Sequence, residues 1–236
     1  MRSNVSEVKE VRGALSRRSL FSAALMSVAS AIPAFASSSD LQSGPRASSS
    51  VALTFHGAGE DSINAAILKQ CSSADIPITI FAVGTWLQQS PQLAKKFFDA
   101  GNEIGNHTLN HKSMRRLSAK SVLAEISGGA AELKKLFGNH GVGFRPSGTQ
   151  FSTPTIRKAA ESLGYKQCIS YDVDSLDYQD PPVTSIIGNV SRSLKSGSIV
   201  SLHFGHANTV KALPQIFALL EAKKLKAVPI SAFLTK

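Results

Sequence analysis

The sequence predicts an α/β fold built on a parallel sheet, arranged either as a barrel or as a doubly wound sheet. From residue 50 onward, short apolar stretches alternate with helical stretches in seven βα-type units. The apolar stretches are hydrophobic on both faces, as expected for strands of a parallel sheet covered by helices. The roughly 190 residues in this part of the chain suffice for one domain with a complete core.

Each predicted strand is a short apolar run, and each predicted helix follows one of them. The strands are predicted at residues 51–55, 77–84, 103–106, 143–145, 166–172, 198–203 and 226–230. The helices are predicted at residues 62–73, 91–100, 118–137, 153–163, 184–194 and 210–223. Ser118 stands where a serine would cap the longest helix. No internal repeat is visible.

Residues 1–36 are interpreted as an export signal that is removed from the mature protein. Arg17-Arg18 precede an apolar, small-residue stretch, and Ala34-Phe35-Ala36 resembles a cleavage site. The paired arginines are typical of a twin-arginine signal, with an ordinary secretory signal or an uncleaved anchor as alternatives. The apolar run is too short for a stable membrane span. Residues 37–49 are Ser-rich and predict a flexible linker, which leaves residues 50–236 as the functional domain.

The net positive charge of the chain favours negatively charged partners, and for an exported protein these are found outside the cytoplasm. The whole sequence carries +10; residues 1–36 hold five basic and two acidic side chains, so the remainder carries +7. A basic exported protein fits anionic cell-wall polymers or acidic glycans. Basic and aromatic residues are not interleaved as in nucleic-acid-binding proteins. Cys71 and Cys168 are interpreted as small buried hydrophobes, since two cysteines permit a disulfide without implying one.

Residues capable of chemistry follow the predicted strands at their carboxyl ends. They are His56, the pair His107 and His111, Arg145, the segment 172–177, and the pair His203 and His206. In a parallel barrel these ends meet on one face, so the pattern predicts a single site there. His107 and His111 lie four positions apart, a spacing that lets two imidazoles approach one divalent ion.

Four ordered motifs resemble the polysaccharide deacetylases, the NodB-homology group. They are Asn106-His107-Thr108-Leu109-Asn110-His111, Phe144-Arg145-Pro146-Ser147-Gly148, Asp174-Ser175-Leu176-Asp177-Tyr178 and Ile199-Val200-Ser201-Leu202-His203. The resemblance covers essentially residues 50–233. It implies a distorted (β/α)7 barrel and metal-dependent removal of N- or O-acetyl groups from glycans.

The resemblance also implies roles for individual residues. His107 and His111 would be metal ligands, and Arg145 and Asp177 would form an ion pair near the catalytic base. His203 would be the general acid that protonates the leaving amine, a task that suits an imidazole titrating near neutrality. Leu202 would line the pocket for the acetyl methyl group.

The first motif departs from the family pattern. The family has Thr-Phe-Asp-Asp-Gly, in which the first aspartate is the base and the second binds the metal; this chain has Thr54-Phe55-His56-Gly57. Without a gap His56 stands at the base position, and with a one-residue gap it stands at the ligand position. His56 is therefore a candidate third metal ligand, general base or non-catalytic residue. Either alignment leaves one role vacant, and Glu60, Asp61, Asp172 and His206 are the nearby candidates.

The remaining candidates concern substrate contacts. Trp86 is expected either to stack on a sugar or to pack onto the following helix, and Tyr178 stands where it could form the floor of a sugar subsite. His206 is expected to contact substrate or to lie in a surface loop. His140, between Asn139 and Gly141, is interpreted as a turn residue.

Two function classes follow from these observations. The first is an exported hydrolase that removes acetyl groups from peptidoglycan, a chitin-like polysaccharide or a related glycan, using one divalent metal. Zinc is expected from imidazole ligands, and cobalt, nickel or manganese also suit such a site. The second is a catalytically silent relative that binds wall glycan, which the altered first motif would explain. Both place the mature protein in the extracellular space, the cell wall or the periplasm.

Overall fold

A parallel six-stranded sheet forms the centre of the molecule in the computed structural model, which describes residues 39–234. The strands are β1 (Ser50–Gly57), β2 (Thr79–Ala82), β3 (Glu103–Asn106), β4 (Val173–Asp174), β5 (Ile199–His203) and β6 (Lys226–Ala227). The strand order is β3-β2-β1-β5-β4, and β6 pairs with the start of β1. Neighbouring strands run parallel throughout, so the predicted fold class is confirmed.

The row of strands continues beyond β3 through single bridges. Phe144 is bridged to Asn106 on one side and to Cys168 on the other, and the chain from Cys168 leads into β4. The predicted strands near residues 143–145 and 166–172 are therefore present mainly as bridges of this kind. The sheet curves back towards β4 without a closed hydrogen-bond ladder among the described residues, as in a distorted barrel.

Helices follow the strands and cover the sheet. They are α1 (Asp61–Ser73), α2 (Gly84–Gln89), α3 (Pro91–Asp99), α4 (Ala119–Phe137), α5 (Pro154–Ser162), α6 (Val183–Ser193) and α7 (Ala207–Ala222). Ser118 caps α4 as predicted, since its side chain accepts a hydrogen bond from the Ser121 amide. Helix α2 was not predicted, because its six residues show no helical periodicity of their own.

The strands of the sheet centre are buried because both of their faces meet hydrophobic side chains. On β1, Val51, Leu53 and Phe55 are fully buried in the main core, which also contains Ile80 of β2 and Val200 of β5. Helices α6 and α7 contribute Ile186, Val190, Leu213 and Ile216 to the same core. This packing fixes the strands in register, so their carboxyl ends lie side by side.

The predicted flexible linker differs from the structure over residues 40–49. The Leu41 amide donates to the Cys168 carbonyl at 2.8 Å, and the Gly44 amide donates to Gly197 at the same distance. Buried Asp40 accepts a hydrogen bond from the Ser152 amide at 2.6 Å. Serine content predicted flexibility here, but backbone pairing and a buried carboxylate attach the segment to the domain. The predicted export signal lies outside the described residues.

Both cysteines are free and buried, as predicted. Burial raises the pKa of Cys71 to about 12 and that of Cys168 to about 11. Neither thiol is therefore suited to nucleophilic chemistry, because the thiolate is the reactive form.

Candidate active site

Six of the ten predicted site residues line a pocket of about 530 Å³ at the carboxyl ends of the strands. His56 on β1 is paired in register with His203 on β5, and their rings stack with centroids 4.2 Å apart. His107 follows β3, and its ring lies edge-on to His56 at 4.6 Å. The pocket is also lined by His111, Tyr178 and His206. The parallel sheet therefore brings distant motifs together, because each strand ends on the same face.

His203 is held by the buried carboxylate of Asp177. Nδ1 of His203 lies 2.6 Å from Oδ1 of Asp177, while Oδ2 accepts from the His203 amide at 2.8 Å and from Thr209 Oγ1 at 2.7 Å. Burial alone raises the pKa of Asp177, but these hydrogen bonds and the charge of His203 outweigh it and leave the pKa below its usual value. The Nδ1 proton of His203 faces the carboxylate, so Nε2 is free to exchange a proton with a bound molecule.

Arg145 does not form the expected ion pair with Asp177. Its guanidinium donates to the carbonyl oxygens of Ile169 at 3.3 Å and Ser170 at 3.0 Å. It lies over the Phe81 ring, with its central carbon 4.2 Å from the centroid. The expectation was wrong because Asp177 is already occupied by His203 and Thr209. Among residues 39–234, no carboxylate forms a salt bridge with Arg145, and burial lowers its pKa to about 9.

His56 and His107 share a hydrogen bond whose direction follows from their other contacts. His107 Nδ1 lies 2.9 Å from the Arg145 carbonyl oxygen, so Nδ1 carries the proton and Nε2 is an acceptor. His56 Nε2 faces two donors, Ser201 Oγ at 3.0 Å and Arg145 Nη1 at 3.3 Å. The remaining proton of His56 is on Nδ1, which donates to His107 Nε2 at 2.9 Å. Burial, with the neighbouring charges, lowers the pKa of both imidazoles well below the usual value, so both are neutral.

As arranged, the donor atoms do not fit a metal site. The Nε2 lone pair of His107, which would bind the ion, already accepts a proton from His56. The described part of the chain contains no group of three or more His, Cys, Asp and Glu side chains positioned to hold a metal. His111 also lies at the pocket, with its ring 4.9 Å from that of His107. These two histidines are not joined by a third side chain placed to bind the same ion among the described residues. A metal shared by His56, His107 and His111 stays a prediction.

Gly57 cannot supply the missing ligand. A Cβ atom at this position would lie 2.7 Å from Ile80 Cγ2 and 3.0 Å from the Ala82 Cα atom. A contact this short with Ile80 requires that side chain to shift, so glycine is the residue that fits the present packing. Position 57 therefore offers no side chain for the role that the altered motif leaves vacant.

The predicted pocket role of Leu202 was wrong, Trp86 packs in the interior, which was one of its two expected roles, and the position of Tyr178 is compatible with a substrate contact. Leu202 is fully buried in the core, because side chains alternate along β5 and Ser201 and His203 take the pocket face. Trp86 is only 3% exposed and packs edge-on against Phe204 at 5.7 Å. Tyr178 is exposed and lines the pocket with its ring 5.1 Å from that of His203, as expected for a sugar platform.

A second histidine–aspartate pair lies beside the first. His206 Nδ1 is 2.8 Å from Asp180 Oδ1, and the His203 and His206 rings are 6.2 Å apart. His206 precedes the first residue of α7 and lines the pocket. The expectation that it contacts substrate is thus compatible with its position, whereas His140 is exposed and lies outside the pocket lining, as predicted.

Sequence reasoning missed several residues of the pocket wall, and the polar ones among them are Thr149, Gln150 and Tyr171. Thr149 and Gln150 directly follow the Pro-Ser-Gly turn after Arg145. Their position just beyond a strand end was the available signal. Tyr171 lies within a predicted strand, and nothing in the sequence indicates which face of that strand its ring occupies.

Comparison with known proteins defines the class of this fold and site. The family model described as "Polysaccharide deacetylase" matches residues 43–168, so the chain belongs to the polysaccharide deacetylase family. A curated relative, the peptidoglycan-N-acetylglucosamine deacetylase of Bacillus cereus, is 30% identical over 188 residues, which span 78% of this chain and 87% of the relative.

Solved structures agree with this assignment. The family 4 carbohydrate esterase of Streptomyces lividans, solved in complex with acetate, is 30% identical, with a TM-score of 0.71 over 77% of this chain and 93% of that chain. A mutant of BA3943, described as a CE4 family pseudoenzyme with restored enzymatic activity, is 25% identical, with a TM-score of 0.76 over 82% of this chain and 70% of that one. Its parent protein comes from Bacillus anthracis.

Proposed function

We propose that this protein is an exported hydrolase that removes acetyl groups from N-acetylated or O-acetylated polysaccharide of the cell wall or a chitin-like polymer. The observation that carries the proposal is the pair of His203 and Asp177 in the pocket. A glycan-binding surface has no need of an imidazole oriented by a buried carboxylate, whereas hydrolysis of an amide requires a proton for the leaving nitrogen. Similarity to a peptidoglycan-N-acetylglucosamine deacetylase supports the choice of substrate.

In the proposed reaction, His203 transfers a proton and Asp177 is the positioning residue. Asp177 holds the Nδ1 proton of His203 and leaves Nε2 facing the substrate, which keeps the ring in one tautomer and orientation. The exposed ring of Tyr178 offers an apolar face on which a sugar can stack. His56 and His107 form part of the pocket wall and are linked by hydrogen bonds to each other and to buried Arg145.

Metal dependence is a separate proposal. Zinc, expected from imidazole ligands, would take His107 and His111 as its first donors and would supply an activated water. The His56–His107 hydrogen bond opposes this arrangement, so no step above is assigned to a metal.

Export also belongs to the proposal. It depends on the predicted signal at residues 1–36 and on similarity to enzymes named for peptidoglycan. Between residues 39 and 234, no helix has both the length and the apolar character needed to cross a bilayer.

The proposal is tested by measuring acetate release from peptidoglycan and from N-acetylglucosamine oligomers, with and without added zinc. We expect release by the wild-type chain and a loss of about 100- to 10,000-fold in His203→Ala. His140→Ala, at an exposed turn, is the matched control and should retain activity. Absence of acetate release from both N-acetylated and O-acetylated substrates would refute the hydrolase.

A second candidate is a catalytically silent protein that binds the same glycans. It is favoured by the absence of both motif-one carboxylates and by the hydrogen bond that occupies His107 Nε2. The same fold occurs in a CE4 family pseudoenzyme. Saturable binding of chitin oligomers by wild-type protein that releases no acetate, with binding weakened in Tyr178→Ala, would identify this function.

A further inference from the structure

We propose that His206, oriented by Asp180, is the general base that the altered first motif leaves vacant. The inference rests on the proposed hydrolase function and assigns the residue that accepts a proton from the attacking water. Hydrolysis of an acetyl group needs such a base in addition to the acid His203. The sequence offers Glu60, Asp61, Asp172 and His206 as candidates, and their positions in the structure distinguish them.

Glu60 and Asp61 are turned away from the pocket. Asp61 begins α1, is exposed, and accepts a hydrogen bond from Ser90 Oγ at 2.6 Å. Glu60 is exposed beside it and accepts from the Ser62 hydroxyl. Neither residue lines the pocket. Their carboxylates accept hydrogen bonds from serine side chains near the start of α1.

Asp172 is engaged at the opposite end of β5. Its Oδ2 forms an ion pair with Arg46 at 2.7 Å, and its Oδ1 accepts from the Ile199 amide at 2.8 Å. Ile199 is the first residue of β5, whereas His203 at the pocket is the last. Asp172 therefore holds the amino end of the strand and cannot reach the reacting groups.

His56 and His107 lie at the pocket but have no free nitrogen. His107 donates through Nδ1 to a carbonyl and accepts through Nε2 from His56. His56 donates through Nδ1 and accepts at Nε2 from Ser201 and Arg145. An imidazole with both nitrogens engaged must break a buried hydrogen bond before it can take a proton from water.

His206 has the geometry that these residues lack. Its Nδ1 faces Asp180 Oδ1 at 2.8 Å, so the proton lies on Nδ1 and the Nε2 lone pair is available. The side chain is 23% exposed and lines the pocket, which gives water access. The two histidine–aspartate pairs have the same spacing in the sequence. Asp180 lies three residues after Asp177, and His206 lies three residues after His203. The rings of His203 and His206 are nearly perpendicular, at 87°.

The proposed step is balanced in atoms and charge. His206 Nε2 takes a proton from water while the water oxygen bonds to the acetyl carbon. The bond from that carbon to the leaving nitrogen or oxygen then breaks, and the leaving atom takes a proton from Nε2 of protonated His203. Acetic acid, which loses its remaining water-derived proton to solvent and becomes acetate, and a free amine or hydroxyl result. His206 has gained a proton and His203 has lost one, and exchange with solvent at the open pocket restores both.

The test compares kcat and KM for acetate release among the wild type, His206→Ala, His206→Gln and Asp180→Asn, all as full-length chains. A base predicts that kcat falls about 100- to 10,000-fold in both His206 variants while KM changes little. Added imidazole should restore part of the activity of His206→Ala. Asp180→Asn should lower kcat less, about 10-fold, because the ring loses only its orientation. Lys211→Ala, exposed on α7, is the matched control.

Each outcome bears on a different statement. Full activity in His206→Gln would overturn the inference, because glutamine keeps hydrogen bonding but accepts no proton from water. A rise in KM alone would make His206 a sugar-binding residue instead. Wild-type protein that releases no acetate would refute the proposed function itself, and this inference with it. Because Asp180 is 65% exposed, Asp180→Asn should fold normally even if a His206 variant does not.

Discussion

At the residue scale, the altered first motif changes the charge of the pocket. The family pattern has two aspartates where this chain has neutral His56 and Gly57. The guanidinium of buried Arg145 lies 3.3 Å from His56 and forms no salt bridge with a carboxylate among residues 39–234. A divalent ion bound beside it would be repelled by this charge, which is unfavourable in a poorly solvated site.

This repulsion predicts that His56→Asp increases the affinity for zinc. The substitution removes the proton that occupies His107 Nε2 and places a carboxylate near both the ion and Arg145. We expect zinc, titrated by calorimetry, to bind at least about 10-fold more tightly than to the wild type, a difference of about 1.4 kcal/mol. His140→Asp adds the same charge at an exposed turn and is the control. Tighter binding by the wild type than by His56→Asp would instead make His56 a metal ligand.

At the element scale, Asp177 joins three separate parts of the fold. It lies in a short 3-10 helix (Asp177–Gln179) and accepts hydrogen bonds from His203 at the end of β5 and from Thr209 near the start of α7. The carboxylate thus fixes the loop carrying Tyr178 against the end of β5 and the start of α7, where His203 and His206 lie. Its negative charge contributes to stability as well as to chemistry.

The stability contributed by Asp177 should depend on pH in a defined direction. Because its folded pKa is lowered, this stability is fully present above the unfolded value near 3.9 and is lost as pH falls through the folded pKa. We expect Asp177→Asn to reduce the free energy of unfolding by about 2 kcal/mol at pH 7 and by progressively less below about pH 4. Urea unfolding across pH measures this difference. Exposed Asp99→Asn should show no such trend, and a pH-independent loss in Asp177→Asn would contradict the argument.

The strands, the helices and the grouping of the motif residues on one face could be predicted from the sequence. The hydrogen-bond partners of several of these residues could not. Apolar runs followed by His56, His107, Arg145 and His203 suffice to place these residues on one face, since parallel strands end together. Which side chain Asp177 would bind depends on distances of a few ångströms between segments far apart in sequence. The resemblance implied Arg145 as this partner, whereas packing brings His203 and Thr209 to it. Local patterns carry no information on such distances.

At the scale of the whole molecule, the segment before β1 belongs to the folded domain. Its amides pair with the segments at Cys168 and Gly197, and Arg46 forms an ion pair with Asp172. The folded domain therefore includes residues 40–49, which lie before the predicted boundary at residue 50. Serine-rich composition concealed this arrangement, because the attachment uses backbone groups and single buried side chains instead of a periodic apolar face.

Asp40→Ala tests the contribution of this segment to global stability. The carboxylate is buried, accepts from the Ser152 amide at 2.6 Å and lies 3.6 Å from Arg157 Nη1. Its removal leaves a buried amide without an acceptor, so we expect a loss of about 1–3 kcal/mol in the free energy of unfolding. Exposed Gln42→Ala, in the same segment, should change stability by less than about 0.5 kcal/mol. Equal stabilities of the two variants would show that the segment adds nothing to the fold.

The tight fit around Gly57 also constrains how this lineage can change. A carboxylate at position 57 has no room while Ile80 and the backbone of Ala82 hold their present places. A substitution that trims Ile80, taken alone, leaves a cavity and lowers stability. A carboxylate at position 57 therefore requires a second change, at Ile80 or in its rotamer, so a pair of adjacent aspartates at positions 56 and 57 does not fit the present packing without further adjustment.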